Sequence, residues 1–156
     1  MVKKMINDLP ETMASELMRT AKFANLSLSW AERNNHKGLL IASFQVEDET
    51  GAYSAGVTVR LEIKKPIVVE RCLYEFGLFK LHNGASRRAY QLNVTPFDKV
   101  SHNALLGPIL GPHEHIGDAV YAVNEKGVQC GNLDVAFNFF CERINLQFTG
   151  AFNSPL

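Results

Sequence analysis

Three of the five histidines in this 156-residue chain, His102, His113 and His115, fall within fourteen consecutive residues. They lie in the stretch Ser101 to Asp118, which contains His102-Asn103 and then Gly111-Pro112-His113-Glu114-His115-Ile116-Gly117-Asp118. On extended backbone successive side chains alternate, so the imidazoles of His113-x-His115 point to one side and can converge on one atom. His102 would complete a three-nitrogen metal face with positions open to water. Asp98, Glu114 or Asp118 would then supply an oxygen ligand or a base.

The same residues also suit metal-free chemistry, because imidazoles titrate near neutrality and exchange protons with a phosphodiester. In that reading His113, His115 and His102 are the acid and base, and Asp118 orients an imidazole. Arg87, Arg88 or Lys99 would hold phosphate charge, and Tyr90 or Asn103 would orient the substrate. A divalent metal would be the cofactor of the first reading and none is needed in the second, and neither chemistry is fixed by the histidines alone, since H-x-H also arises as loop histidines bonded to backbone. His36 and His82 fall in turn sequences and read as surface residues.

The elements that must position this loop follow from periodicity. Asp8 reads as a helix cap with Pro10 in the first turn, and Met13, Leu17 and Ala21 form an apolar stripe that predicts a helix over about 8–23. Leu26, Leu28 and Trp30 alternate with serines, Leu39 to Val46 follows a polar turn, and Val57, Val59, Leu61 and Ile63 alternate with Thr58, Arg60 and Glu62. All three stretches read as strands. Pro66 ends the last of these. A second hairpin joins Arg71–Leu81 to Arg87–Val94 through Asn83-Gly84, two residues that tolerate positive φ. Residues 95–118 form a histidine loop without regular period, of a length that usually carries function. A short strand is expected over 118–123. Asn132 then caps a helix over about 132–145, with Leu133, Ala136, Phe137, Phe140 and Ile144 on one face. Gln147-Phe148-Thr149 offers a further edge strand.

The expected fold is therefore a single α+β domain over 1–156: a curved antiparallel sheet of about five or six strands, spanning about 26–94, with the N-terminal and C-terminal helices packed on one face. A chain of this length buries a core without disulfides or a structural metal. Sixteen basic residues balance sixteen acidic ones, so no global field gathers nucleic acid, although a local patch still can. Cys72, Cys130 and Cys141 are odd in number and lack a C-x-x-C pair, and they read as core thiols of a reducing compartment. Asn7, Asp8, Pro10 and Glu11 interrupt any signal-peptide run, and no apolar stretch reaches the ~20 residues that span a bilayer. A cytoplasmic protein without membrane partners is expected.

Two known patterns bear on the loop. Gly107, five residues, then His113-Glu114-His115 matches the opening of the cupin metal motif, but Ala119 and Val120 stand where its glutamate belongs. The stronger likeness covers the C-terminal half. Tyr74 to Leu81, Arg88-Ala89-Tyr90, His102-Asn103, Pro112-His113-Glu114-His115-Ile116-Gly117-Asp118 and the helix from Asn132 to Ile144 resemble the TumE-like toxin group and related uncharacterised phage and plasmid domains. The chain departs from that pattern in two places. Gln91-Leu92-Asn93 replaces its Arg-x-Asp strand, and His102-Asn103 replaces its double histidine.

The resemblance implies a toxin-like or mobile-element protein that binds or cleaves RNA or another phosphodiester, a ribonuclease-like activity, with a cognate antitoxin as partner. An alternative is a non-enzymatic phage or plasmid inhibitor that binds a host defence protein. A metal-dependent small-molecule enzyme is a third reading. The sequence leaves the oligomeric state open.

Overall fold

The structure is a computed structural model that describes residues 7–35, 37–64, 72–97, 100–104 and 107–156, with the side chains of 100–104 excepted. The signal-peptide position, Pro66, His36, Asp98 and Lys99, and the side chains of His102 and Asn103, lie outside the described residues.

Among the described residues there are two helices, α1 (Glu11–Arg19) and α2 (Leu133–Arg143), and eleven strands. The strands are β1 (Lys22–Asn25), β2 (Ala31–Glu32), β3 (Leu39–Glu47), β4 (Tyr53–Lys64), β5 (Leu73–His82), β6 (Ala85–Val94), β7 (Val100–Ala104), β8 (Gly107–Leu110), β9 (His113–Ile116), β10 (Ala119–Ala122) and β11 (Leu146–Thr149). Nine of them form one open, curved sheet in the order β10-β9-β6-β5-β4-β3-β1-β11, with β2 beside β3, and β7 and β8 form a separate hairpin. The α+β class and the curved sheet agree with expectation. The strand count exceeds the expected five or six, because the histidine loop is itself largely strand and because both ends of the chain add short strands at the β3 edge. One of these, β11, runs parallel to β1.

Register explains the core. Val59, Leu61 and Ile63 on β4 face Leu78, Phe76 and Tyr74 on β5, which face Tyr90, Leu92 and Val94 on β6. All nine side chains are buried on one face of the sheet. Helix α2 closes this face by setting Phe137 and Phe140 against Phe76 and Phe140 against Tyr90. Helix α1 lies on β6 and β9 and meets the end of α2 across a groove holding Met18, Arg19, Ile116 and Arg143.

Helix α1 stops earlier than the expected residue 23. Lys22 is buried, and its ammonium donates to the carbonyls of Leu17, Thr20 (2.6 Å) and Ile144 (2.7 Å). One cation thus satisfies carbonyls at the C-terminal ends of both helices, where their dipoles favour positive charge. The chain then turns extended at Thr20 and enters β1. The strand expected over 26–30 is not regular, although Leu28 N–H still bonds to Ala151 O.

Neither expected cap forms in the expected way. Pro10 holds the cap position of α1 without a side-chain bond, while Asp8 pairs with Arg88. Asn132 holds the cap position of α2, but its side chain donates to Gly127 O. The cysteines also differ from expectation. Cys72 and Cys130 are joined in a disulfide that ties the start of β5 to the loop before α2, and Cys141 is a buried free thiol. The two sulfurs meet because β5 and that loop pack side by side, which Tyr74 reinforces by accepting from Gly131 N–H. Spacing along the chain carries no sign of either contact.

Candidate functional site

The H-E-H triplet is a strand, and its alternation sends its residues to opposite faces of the sheet. Glu114 is the cross-strand partner of Leu92 and lies on the core face with Tyr90. His113 and His115 partner Asn93 and Gln91 and lie on the other, back face. Both imidazoles are buried, at 2% and 5% exposure. Their ring centroids are 5.1 Å apart at an interplanar angle of 69°, and His113 Nδ1 lies 3.4 Å from Gly111 O.

Glu114 is held away from this pair. Its carboxylate accepts from Tyr90 OH (2.6 Å) and from Arg143 Nε (3.0 Å) and Nη2 (2.8 Å), which fastens α2 to β9. Burial, followed by the Glu114 charge, pushes the Tyr90 hydroxyl far above its ordinary range, so it is a fixed donor. The bond to Glu114 raises Arg143 further. Tyr90 therefore faces the core, on the other side of the sheet from the two imidazoles. Glu114 serves as the anchor of α2.

A bulge decides where Arg88 goes. In a regular strand Arg88 and Tyr90 would share a face, but the register slips between Leu78 and Phe79, which pair with Tyr90 and Arg88 and leave Ala89 as an extra residue. Arg88 is thereby rotated to the back face with Gln91. The Ala89 carbonyl that the bulge exposes accepts from Gly117 N–H, and the peptide groups of Arg88 bond to Asn7 and Leu9. Gly117 is required there. Its φ is +55°, and a Cβ would stand 2.4 Å from Leu9 O. The glycine of the P-H-x-H-x-G-D run is thus a seat for the N-terminal segment.

Arg88 Nε and Nη2 bond to the two carboxylate oxygens of Asp8 at 2.9 and 3.2 Å, and Nη1 bonds to Gln91 Oε1. Gln91 reaches on to Glu75, whose carboxyl is pushed up by burial and then by Glu62. Asn7, Asp8, Arg60, Phe79, Arg88 and Gln91 surround an open cleft of about 460 Å³. The Phe79 ring packs against Gly77, and the Arg60 guanidinium lies over the ring at 4.4 Å from its centroid. The inner wall of the cleft, Gln91, is the cross-strand partner of His115. Cleft and histidine pair are neighbours on one face.

Of the other sequence-derived candidates, Arg87 donates Nε to His82 O at 2.9 Å, and Asp118 is exposed on the turn after β9. The backbone places His102 and Asn103 on β7, opposite Ile109 and Pro108 of β8. No group of three His, Cys, Asp or Glu side chains able to hold a metal occurs among the described residues. Sequence reasoning missed Asp8, Arg60, Gln91 and Asn93 as site residues. Gln91 and Asn93 did carry a signal: two amides at i and i+2 on one side of an otherwise apolar central strand. Asp8 and Arg60 carried none, being distant in sequence from the loop. Comparison with protein families, curated proteins and solved structures finds no match.

Proposed function

We propose that the protein binds RNA or another phosphodiester on the back face of β6 and β9, as expected for a toxin-like or mobile-element protein. The observation that carries this reading is the continuity of the face: a cleft walled by Arg60 and Arg88 opens directly beside Gln91 and His115. Two guanidiniums supply phosphate contacts, and the Arg60–Phe79 stack offers a flat surface for a base. His113 and His115 lie one strand further toward the β10 edge and would act as the proton-transfer pair in cleavage. Both are buried, so a scissile phosphate reaches them only where the side chains that cover them yield. Binding precedes cleavage in this arrangement.

Fluorescence anisotropy with a short single-stranded RNA across a salt series tests the reading. Each arginine that neutralises a phosphate contributes about 0.7 to the log–log salt slope. Arg60→Gln and Arg88→Gln should each weaken binding and reduce the slope by about that amount. Asp8→Asn releases Arg88 from its carboxylate and should tighten binding up to about fivefold, the scale of a part-exposed ion pair. Unchanged binding in all three variants removes the cleft from the account.

A second reading, a non-enzymatic inhibitor that docks on a host defence protein, is favoured by a different observation. Phe97 and Leu110 beside the β7–β8 hairpin and Tyr121 on the open edge strand β10 are large apolar side chains left exposed. Association with a protein partner that survives His115→Gln and Arg88→Gln would support it.

A further inference from the structure

Asn93 Oδ1 and Thr95 Oγ1 are the two buried side-chain oxygens without a hydrogen-bond partner among the described residues. They are two residues apart in the chain, and Asn93 is the cross-strand partner of His113. Strand alternation puts Asn93 on the same face as both imidazoles. A buried oxygen without a donor is costly and calls for a donor or a cation. We propose that His113 and His115, with the side-chain oxygen of Asn93 as third donor, bind one divalent transition-metal ion of the zinc class. The site does not rest on phosphodiester binding in the cleft, and with an ion bound the two imidazoles are ligands in place of the proton-transfer pair.

The separation of the two rings is compatible with such an ion. A metal about 2.1 Å from each ligating nitrogen lies about 3.2 Å from each ring centroid. The observed centroid separation of 5.1 Å then corresponds to a nitrogen–metal–nitrogen angle of about 105°, close to tetrahedral. Each imidazole has two nitrogens, so one can serve a hydrogen bond while the other binds the ion. For His113 the Gly111 carbonyl, 3.4 Å from Nδ1, favours the proton on Nδ1, which makes Nε2 the coordinating atom in the proposed site. Two nitrogens and a neutral oxygen select the zinc, cobalt and nickel class over magnesium or calcium, which prefer all-oxygen sites. Glu75, cross-strand partner of Asn93 on the same face, supplies nearby negative charge without being a ligand.

The test uses the full chain stripped with chelator and titrated with Zn²⁺ alone, Co²⁺ alone and Mg²⁺ alone. The expected result is one Zn²⁺ per chain, a Co²⁺ visible spectrum of tetrahedral type, and no Mg²⁺ uptake. His113→Gln and His115→Gln should each lose at least tenfold in Zn²⁺ affinity, Asn93→Leu should lose severalfold, and His82→Ala should bind as wild type. Ring nitrogen NMR of the wild-type chain reads the same site without substitution, with Zn²⁺ shifting the resonances of two of the five imidazoles. Absence of stoichiometric uptake, shifts on His36 or His82 instead, or wild-type Zn²⁺ affinity in both glutamine variants would overturn the proposal.

Discussion

Replacing Arg143 by Met isolates what holds α2 to β9. The guanidinium makes two charge-assisted bonds to a Glu114 carboxylate whose side chain is 11% exposed, while Arg143 itself is 37% exposed. Removing one partner of a fully buried pair costs about 3–5 kcal/mol, chiefly because the other charge stays buried. Water can reach the Arg143 side and Tyr90 still donates, so the expected cost is about 2–3 kcal/mol. For a chain of this size that lowers Tm by roughly 4–12 °C, at about 2–4 °C per kcal/mol. Glu114→Gln keeps an acceptor for both partners and should cost about 1–2 kcal/mol. The double variant should be more stable than the sum of the singles predicts, by about 1–2 kcal/mol, since the orphaned charge is gone. Urea unfolding of the four proteins supplies the cycle. An Arg143→Met cost below about 1 kcal/mol, or strict additivity, would refute the anchoring role. Loss of RNA binding in folded Glu114→Gln would refute the assignment of Glu114 to the opposite face from the site.

Other consequences are as direct. The Cys72–Cys130 link spans 58 residues, and the chain-entropy relation gives about 4 kcal/mol for a loop of that size. Reduction should lower Tm accordingly, and thiol titration in denaturant should find one thiol without reductant and three with it. Lys22→Met leaves helix-end carbonyls without a donor and should cost about 2–3 kcal/mol at pH 7. Burial lowers the Lys22 ammonium from 10.5 to about 8, so between those values the unfolded chain binds more protons and the Lys22 contribution to stability rises with pH. The stability gap between wild type and Lys22→Met should therefore widen from pH 8 to pH 10 in urea melts. Gly117→Ala forces a left-handed φ on alanine and a Cβ against Leu9 O. It should cost about 2–4 kcal/mol and expose the N-terminal segment to limited proteolysis.

The parts of the fold with strong local signals were readable from the chain. The Asn83-Gly84 hairpin forms with both residues at positive φ, β4 follows its strict alternation, and α2 buries Leu133, Ala136, Phe137 and Phe140, with Ile144, the fifth residue its period selects, buried just beyond its end. Most of the misreadings involve long-range partners. Helix α1 ends where it does because Lys22 finds Ile144 O, far away in sequence. Asp8 abandons its cap for Arg88. The one-residue bulge at Ala89 reverses the face of Arg88, which no propensity encodes. That His113, His115 and a carboxylate gather in one short stretch was legible from residue types. The division of its labour was not, because it depends on pairing β9 with β6: that register sends Glu114 to the core and leaves both histidines beside Gln91 and Asn93.

Backbone and imidazole NMR of the wild-type protein, titrated with a short single-stranded RNA at low salt, tests the central claim most directly. Shifts should cluster on Asp8, Arg60, Arg88, Gln91 and His115, with the α1–α2 groove unaffected. Shifts confined to that groove around Arg19 and Arg143, or none at concentrations where nonspecific binding is expected, would contradict it.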